Sequence, residues 1–213
     1  MATPMFSLDH RTFLEQDFAV IDPLQVDAAL WKHLPATTLG EKEFNCDMAQ
    51  LPHLLCLRDA DELTRLELLN VCEAFTATED AAFFCCLIRT KESASSLTRR
   101  LSRRMVLTRS SNGRKYFFRY FDPRVFLHLL HILNDEQMYT LLTPAAAWAW
   151  RDPLVQQWCE HCVAAQAAAA WPAPTFSLSD KQLDSIARIE VVNQVLRRLQ
   201  SQQGKQAVAQ AML

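Results

Sequence analysis

Short apolar runs alternate along the chain with segments whose apolar residues recur every three or four positions, the pattern of strands interleaved with helices. Phe18-Ala19-Val20-Ile21 reads as a buried strand. Asp22-Pro23 then predicts a helix, because Asp accepts hydrogen bonds from free first-turn amides and Pro at the first helical position sacrifices none. Gln25 completes a capping-box spacing, and Pro35 ends this helix near His33. Residues 39–44 read as a strand. Residues 53–57, apolar, short and preceded by Pro52, read as a buried one. Asp61 is placed to cap a helix running to about Phe75, with Leu63, Leu66, Leu69 and Cys72 inward. Residues 82–89 form the clearest core strand, since Phe83, Phe84, Cys85, Cys86, Leu87 and Ile88 leave no polar face.

Ser93 or Ser95 can cap the next helix, whose buried stripe is Leu97, Leu101 and Met105. Arg99, Arg100, Arg103 and Arg104 fall mostly elsewhere on that cylinder. Residues 105–109 and 114–121 flank Ser110-Ser111-Asn112-Gly113, and Asn-Gly supplies the positive φ of a hairpin turn. Asp122-Pro123 repeats the earlier helix-start device; its helix runs to about Leu133, and another begins at Asp135. Beyond Pro144 the pattern changes to tryptophan and alanine: Trp148, Trp150, Trp158 and Trp171 lie there. Residues 153–170 read as helical, and Trp171-Pro172-Ala173-Pro174 as a break. Ser179 and Gln182 then open a long helix with Leu183, Ile186, Ile189, Val192, Leu196 and Leu199 inward, and the polar tail after Ser201 is expected to fray. The predicted architecture is an α/β N-terminal lobe over 1–143, a mixed sheet with flanking helices, followed by an all-helical C-terminal lobe over 144–213.

Composition narrows the function. With 213 residues, 50% hydrophobic and 22% charged, the chain can bury a sizeable core. Its 3 glycines carry neither a dinucleotide fingerprint nor a P-loop. No apolar run reaches the roughly 20 residues of a membrane-spanning helix, and the first 17 residues lack the basic-then-apolar layout of a secretory signal. The 7 cysteines are odd in number and scattered in apolar surroundings, which suits reduced thiols in a cytoplasmic protein. The net charge of −2 conceals an asymmetry: Arg89 to Arg124 holds 11 basic residues against Glu92 and Asp122. Such a segment favours oriented docking on a charged partner.

Candidate chemistry finds no anchor. Cys159-Glu160-His161-Cys162 has the spacing of half a zinc site, but no second pair exists: Cys46, Cys56 and Cys72 stand alone. His128 and His131 lie one turn apart without an H-E-x-x-H pattern, and packing or surface roles are favoured. There is no G-x-S-x-G elbow and no carboxylate pair that suggests glycoside chemistry. An enzyme is not expected, nor are cofactors or metals. The Arg99–Arg104 helix with Tyr116, Phe117 and Phe118 raises a nucleic-acid or regulatory alternative. Against it stand a sequence pI near 6.3 and aromatics that fit a core strand. The tryptophans suit a core first and a groove for an apolar partner second.

Arg119-Tyr120-Phe121-Asp122-Pro123-Arg124, after an apolar strand and before a leucine-rich helix, resembles the signature of the Tap/Tec-type effector chaperones of bacterial type VI secretion. Phe18-Ala19-Val20-Ile21-Asp22, residues 51–57, residues 99–105 with the hairpin, Leu142-Thr143-Pro144 and Phe176 to Leu183 resemble further elements of that family in order. His53 departs from a common Tyr, and the segment between 57 and 82 is short for the family. The resemblance implies a non-secreted chaperone that binds an effector's N-terminal region and helps load it onto the VgrG/PAAR spike. Asp122 and Pro123 then form the structural motif. Arg99, Arg100, Arg103, Arg104, Arg119, Arg124, Trp148, Trp150 and Trp158 are candidates for partner contact.

Overall fold

A computed structural model describes residues 4–40, 47–79, 81–163 and 176–211, with the side chains of the last helix described through Ser201. Its centre is a seven-stranded sheet in the order β1-β9-β8-β5-β2-β4-β3. The strands are β1 (Met5–Phe6), β2 (Phe18–Ile21), β3 (Ala36–Thr38), β4 (His53–Cys56), β5 (Cys86–Arg89), β8 (Ala147–Arg151) and β9 (Trp158–Cys162). Every pairing in it is antiparallel, so the sheet is not the mixed one expected. β6 (Val106–Thr108) and β7 (Lys115–Phe117) form a separate hairpin. Gly113 lies in its turn at φ 67°, as the Asn-Gly pair predicts.

Period-two alternation sends the sheet's side chains to two layers. Phe18, Val20, Cys86, Ile88, Trp148 and Trp150 face one core. That face is covered by α3 (Ala94–Arg104), α4 (Pro123–Ile132), α5 (Asp135–Leu142) and α6 (Asp180–Ala187). Ala19, Ile21, Leu55, Leu87 and Ala149 face the other, under α1 (His10–Leu14) and α2 (Glu62–Thr78). The caps of α2, α3, α4 and α6 are the predicted Asp61, Ser93, Asp122 and Ser179.

Several expectations need correction. Asp22-Pro23 opens a single turn and not a helix. The Asp27 side chain accepts from Ala29 N at 2.8 Å and restarts the chain as a short 3-10 turn, Ala28–Leu30. The strand predicted over 39–44 lies earlier, at β3; residues 41–44 fall outside the described ones. On α2 the buried stripe is Leu68, Leu69 and Cys72, and Leu63 is 68% exposed. Arg65 fixes that rotation by donating to the carbonyls of Phe13, Leu14 and Gln16 at 3.1, 2.7 and 2.7 Å, which closes the end of α1.

The all-helical reading from 144 onward fails over 147–162. β8 pairs with β5 and β9 with β8, so this stretch belongs to the central sheet. Ala147-Trp148-Ala149-Trp150 alternates small and large with period two, and that signal outweighs alanine's helix propensity. The rest of the predicted 153–170 helix, from residue 164, lies outside the described residues, as do Trp171-Pro172-Ala173-Pro174 and Cys46. The C-terminal helix is two, α6 and α7 (Ile189–Ala211), parted at Arg188, and the backbone is helical beyond Ser201. Leu183 and Ile189 are buried, whereas Val192 and Leu199 are exposed.

Beyond Ile189, what seats α7 is polar. Asn193 is buried; its Oδ1 lies 2.7 Å from His128 Nε2, and its Nδ2 donates to Arg124 O at 3.0 Å. Asn193→Leu leaves the His128 ring nitrogen and a carbonyl without partners, so a loss of about 1–3 kcal/mol is expected in urea unfolding. An unchanged midpoint would show that α7 does not depend on this bond pair.

Candidate functional site

The Arg-Tyr-Phe-Asp-Pro-Arg segment lies where the hairpin returns to the core. Tyr120 and Phe121 are buried, and Tyr120 OH donates to Leu101 O at 3.2 Å. Asp122 follows, 3% exposed, with φ −70° and ψ 121°, and Pro123 starts α4. Asp122 Oδ1 accepts from Arg124 N and Arg124 Nε, each at 3.0 Å. Its Oδ2 accepts from Arg124 Nη2 at 2.7 Å and Arg119 Nη2 at 3.3 Å.

Arg119 also reaches Asp22 Oδ2 at 2.5 Å. Asp22, 1% exposed, is further held by Leu24 N at 3.0 Å and Gln25 Nε2 at 2.7 Å. The two Asp-Pro junctions, 100 residues apart in sequence, therefore meet through one guanidinium. Burial alone pushes the Asp122 carboxyl up, but the hydrogen bonds and charge of Arg124, then the charge of Arg119, outweigh it and hold it below its ordinary value. Arg119 and Arg124, candidates for partner contact in the sequence, both pair with Asp122 inside the fold. The Asp22 arm was missed, although the repeated Asp-Pro pair was its visible trace.

The four helix arginines divide. Arg99, Arg100 and Arg103 are exposed on α3. Arg104 turns inward, where its guanidinium donates to Thr143 O. Much of the basic segment is likewise spent internally. Arg89 pairs with Glu15 and Glu160 at 3.5 and 3.4 Å, and Arg109 pairs with Asp184, joining the hairpin to α6. The charge asymmetry read from the sequence thus shrinks to a row on α3 flanked by exposed Lys91 and Arg114.

Trp148 and Trp150 lie in the core, at 5.8 and 4.6 Å between ring centroids from Phe126. Neither indole N–H has an acceptor among the described residues. Trp158 differs: it is half-buried, lies 6.4 Å from Phe6, and lines an open groove. Trp171 lies outside the described residues.

Cys159 and Cys162 are on strand β9, not on the predicted helix, three residues apart and so on opposite faces; Cys159 is buried and Cys162 exposed. Burial pushes both thiols up. Among the described residues no group of three His, Cys, Asp or Glu could hold a metal ion. Of the aromatics behind the nucleic-acid alternative, Phe118 is buried and Tyr116 partly exposed. No helix among the described residues is long and apolar enough to cross a membrane.

Comparison with known proteins adds one finding. Neither the curated proteins nor the solved structures contain a match. A family model described as "Domain of unknown function (DUF4123)" matches residues 18–139, more than half of the chain, from the start of β2 into α5. That span contains both Asp-Pro junctions, the α3 arginine row and the hairpin. The chain belongs to the DUF4123 family, which is associated with type VI secretion effector adaptors.

Proposed function

We propose that this chain is a cytoplasmic adaptor that binds the N-terminal region of a cognate type VI effector, keeps it soluble and promotes its loading onto the VgrG/PAAR spike, catalysing no reaction. The family match carries the reading, because it covers the Arg-Tyr-Phe-Asp-Pro-Arg junction and the elements it joins. In this reading the junction holds β2, the hairpin and α4 in register, and Arg99, Arg100 and Arg103 offer an acidic partner a charged row.

Co-expression with a candidate type VI effector from the same bacterium tests the reading. The effector is expected to be insoluble alone and to co-purify in soluble form with this chain; equal solubility with and without it would refute the adaptor role. Charge reversal of Arg100 and Arg103 to Glu is expected to weaken capture and flatten its salt dependence. Unchanged capture would remove the α3 row from the interface. The same row motivates the nucleic-acid alternative, for which a low-salt gel shift decides: a retarded band abolished by the double reversal would favour it.

A further inference from the structure

Arg151 ends β8, is half-buried, and makes no side-chain hydrogen bond or ion pair among the described residues. It stands on a ridge between two depressions. On one side an open groove of about 350 Å³ is walled by Leu8, Leu69, Cys72, Ala77 and Trp158, with Glu73 also on its wall. On the other a notch of about 80 Å³ lies among Ala82, Pro123, Pro153 and the Arg124 guanidinium.

The notch carries positive charge. Asp122 lines it, but both its oxygens already accept from Arg119 and Arg124. Around the notch Asp22 and Asp122 offset Arg119 and Arg124, which leaves Arg151 without a paired carboxylate there among the described residues; Glu73 lies on the groove side and makes no ion pair with it. Asp152 next door does not supply the counter-charge, since its Oδ1 takes Leu154 N at 2.7 Å and Val155 N at 3.3 Å. Arg124 has used its Nε–H and one Nη2–H on Asp122, so three of its five N–H bonds remain. Arg151 has all five. The notch has room for about two to three waters, and so for one carboxylate.

We infer that this ridge is a peptide-docking site for a partner segment in which an Asp or Glu side chain bridges Arg124 and Arg151 while a neighbouring large apolar side chain fills the groove against Trp158. The charge decides the occupant: a half-desolvated, unpaired guanidinium beside an apolar trough complements an acidic residue next to an apolar one, and Trp and Arg are the side chains most enriched at binding hot spots. The inference rests on the adaptor reading and gives it a second contact, separate from the α3 row.

The probe is acetyl-Phe-Glu-amide, titrated into the whole protein while the Trp158 indole N–H and the Arg151 Nε–H are followed by NMR. Saturable shifts of both signals are expected at millimolar peptide. Acetyl-Phe-Gln-amide and acetyl-Ala-Glu-amide should each bind about three- to fivefold more weakly. Arg151→Gln should abolish the difference between the Glu and Gln peptides, and Arg151→Lys, which keeps the charge, should retain part of it. Equal affinity for the Glu and Gln peptides, an undiminished difference in Arg151→Gln, or no shift at all would overturn the inference. So would a poly-thymidine oligonucleotide that shifts the same two signals at lower concentration. Failure of the effector to co-purify would sink the adaptor reading and leave these peptide affinities as measured, so the two failures are distinguishable.

Discussion

Asp122→Asn is expected to destabilise the fold by about 2–4 kcal/mol, because it removes one charge from a buried network: Arg124 loses its carboxylate, while Arg119 keeps only Asp22. For a chain of this length that is a fall in melting temperature on the order of 10 °C. Asparagine caps helices about as well as aspartate, so α4 keeps its start and the loss reports the charge. The effect also has a pH signature. The folded-state carboxyl titrates below its ordinary value of 3.8, so its contribution is complete above about pH 5 and disappears as pH falls through the depressed value. The stability gap between wild type and Asp122→Asn should be flat near neutrality and narrow in acid. Thermal melts from pH 7 to pH 3 measure it, and a gap that widens in acid would show that Asp122 is not stabilised as an anion. Asp22→Asn and Arg119→Met should combine to less than the sum of their separate losses, since they share one ion pair.

What the sequence disclosed tracks how local each signal is. Asp61, Ser93, Asp122 and Ser179 were readable as caps because capping is settled within three residues. Strands β2 and β4 were readable because sheet interiors demand unbroken apolar runs; of the run predicted over 82–89 only β5 is strand, and Phe83, Phe84 and Cys85 are buried in a non-strand approach to it. The errors arose where two local signals competed. Asp22-Pro23 looks like Asp122-Pro123, but Asp27 lies five residues on and ends the turn; no such residue follows Asp122. Ala147 to Arg151 offers alanines to a helix and alternation to a strand. The unpaired edge of β5 decided for the strand, and that edge is a tertiary fact.

The site followed the same logic. The Arg-Tyr-Phe-Asp-Pro-Arg segment announced a structured junction, and its internal pairs lie within five residues of one another. Its tie to Asp22 spans 97 positions and emerges only when β2 and the hairpin's exit are brought together. Net charge misled in the opposite direction. Eleven basic residues in one segment suggested a broad positive face, yet Arg89, Arg104, Arg109, Arg119 and Arg124 are committed to partners within the fold. A charge count is blind to which charges are already answered.

Trp148→Ala tests the separation of core from contact among the tryptophans. Trp148 is 1% exposed on β8, stacked on Phe126 and 5.9 Å from Tyr120, with Ala149 pointing to the opposite layer. Truncation opens a cavity beneath α4 that the surrounding rings cannot close without leaving their rotamers, so a loss of about 3–5 kcal/mol is expected. The indole N–H has no acceptor among the described residues, which leaves no hydrogen bond to add to that figure. Trp148→Phe keeps most of the ring and should lose markedly less. Urea denaturation measures both, with capture of the proposed effector partner recorded below the unfolding transition. If Trp148 acts through packing, the folded fraction of the variant captures its partner with unchanged affinity and only the midpoint falls. A variant with a wild-type midpoint and weakened capture would instead assign Trp148 to the interface and require β8 to be reached from outside, through a layer that α4 now closes.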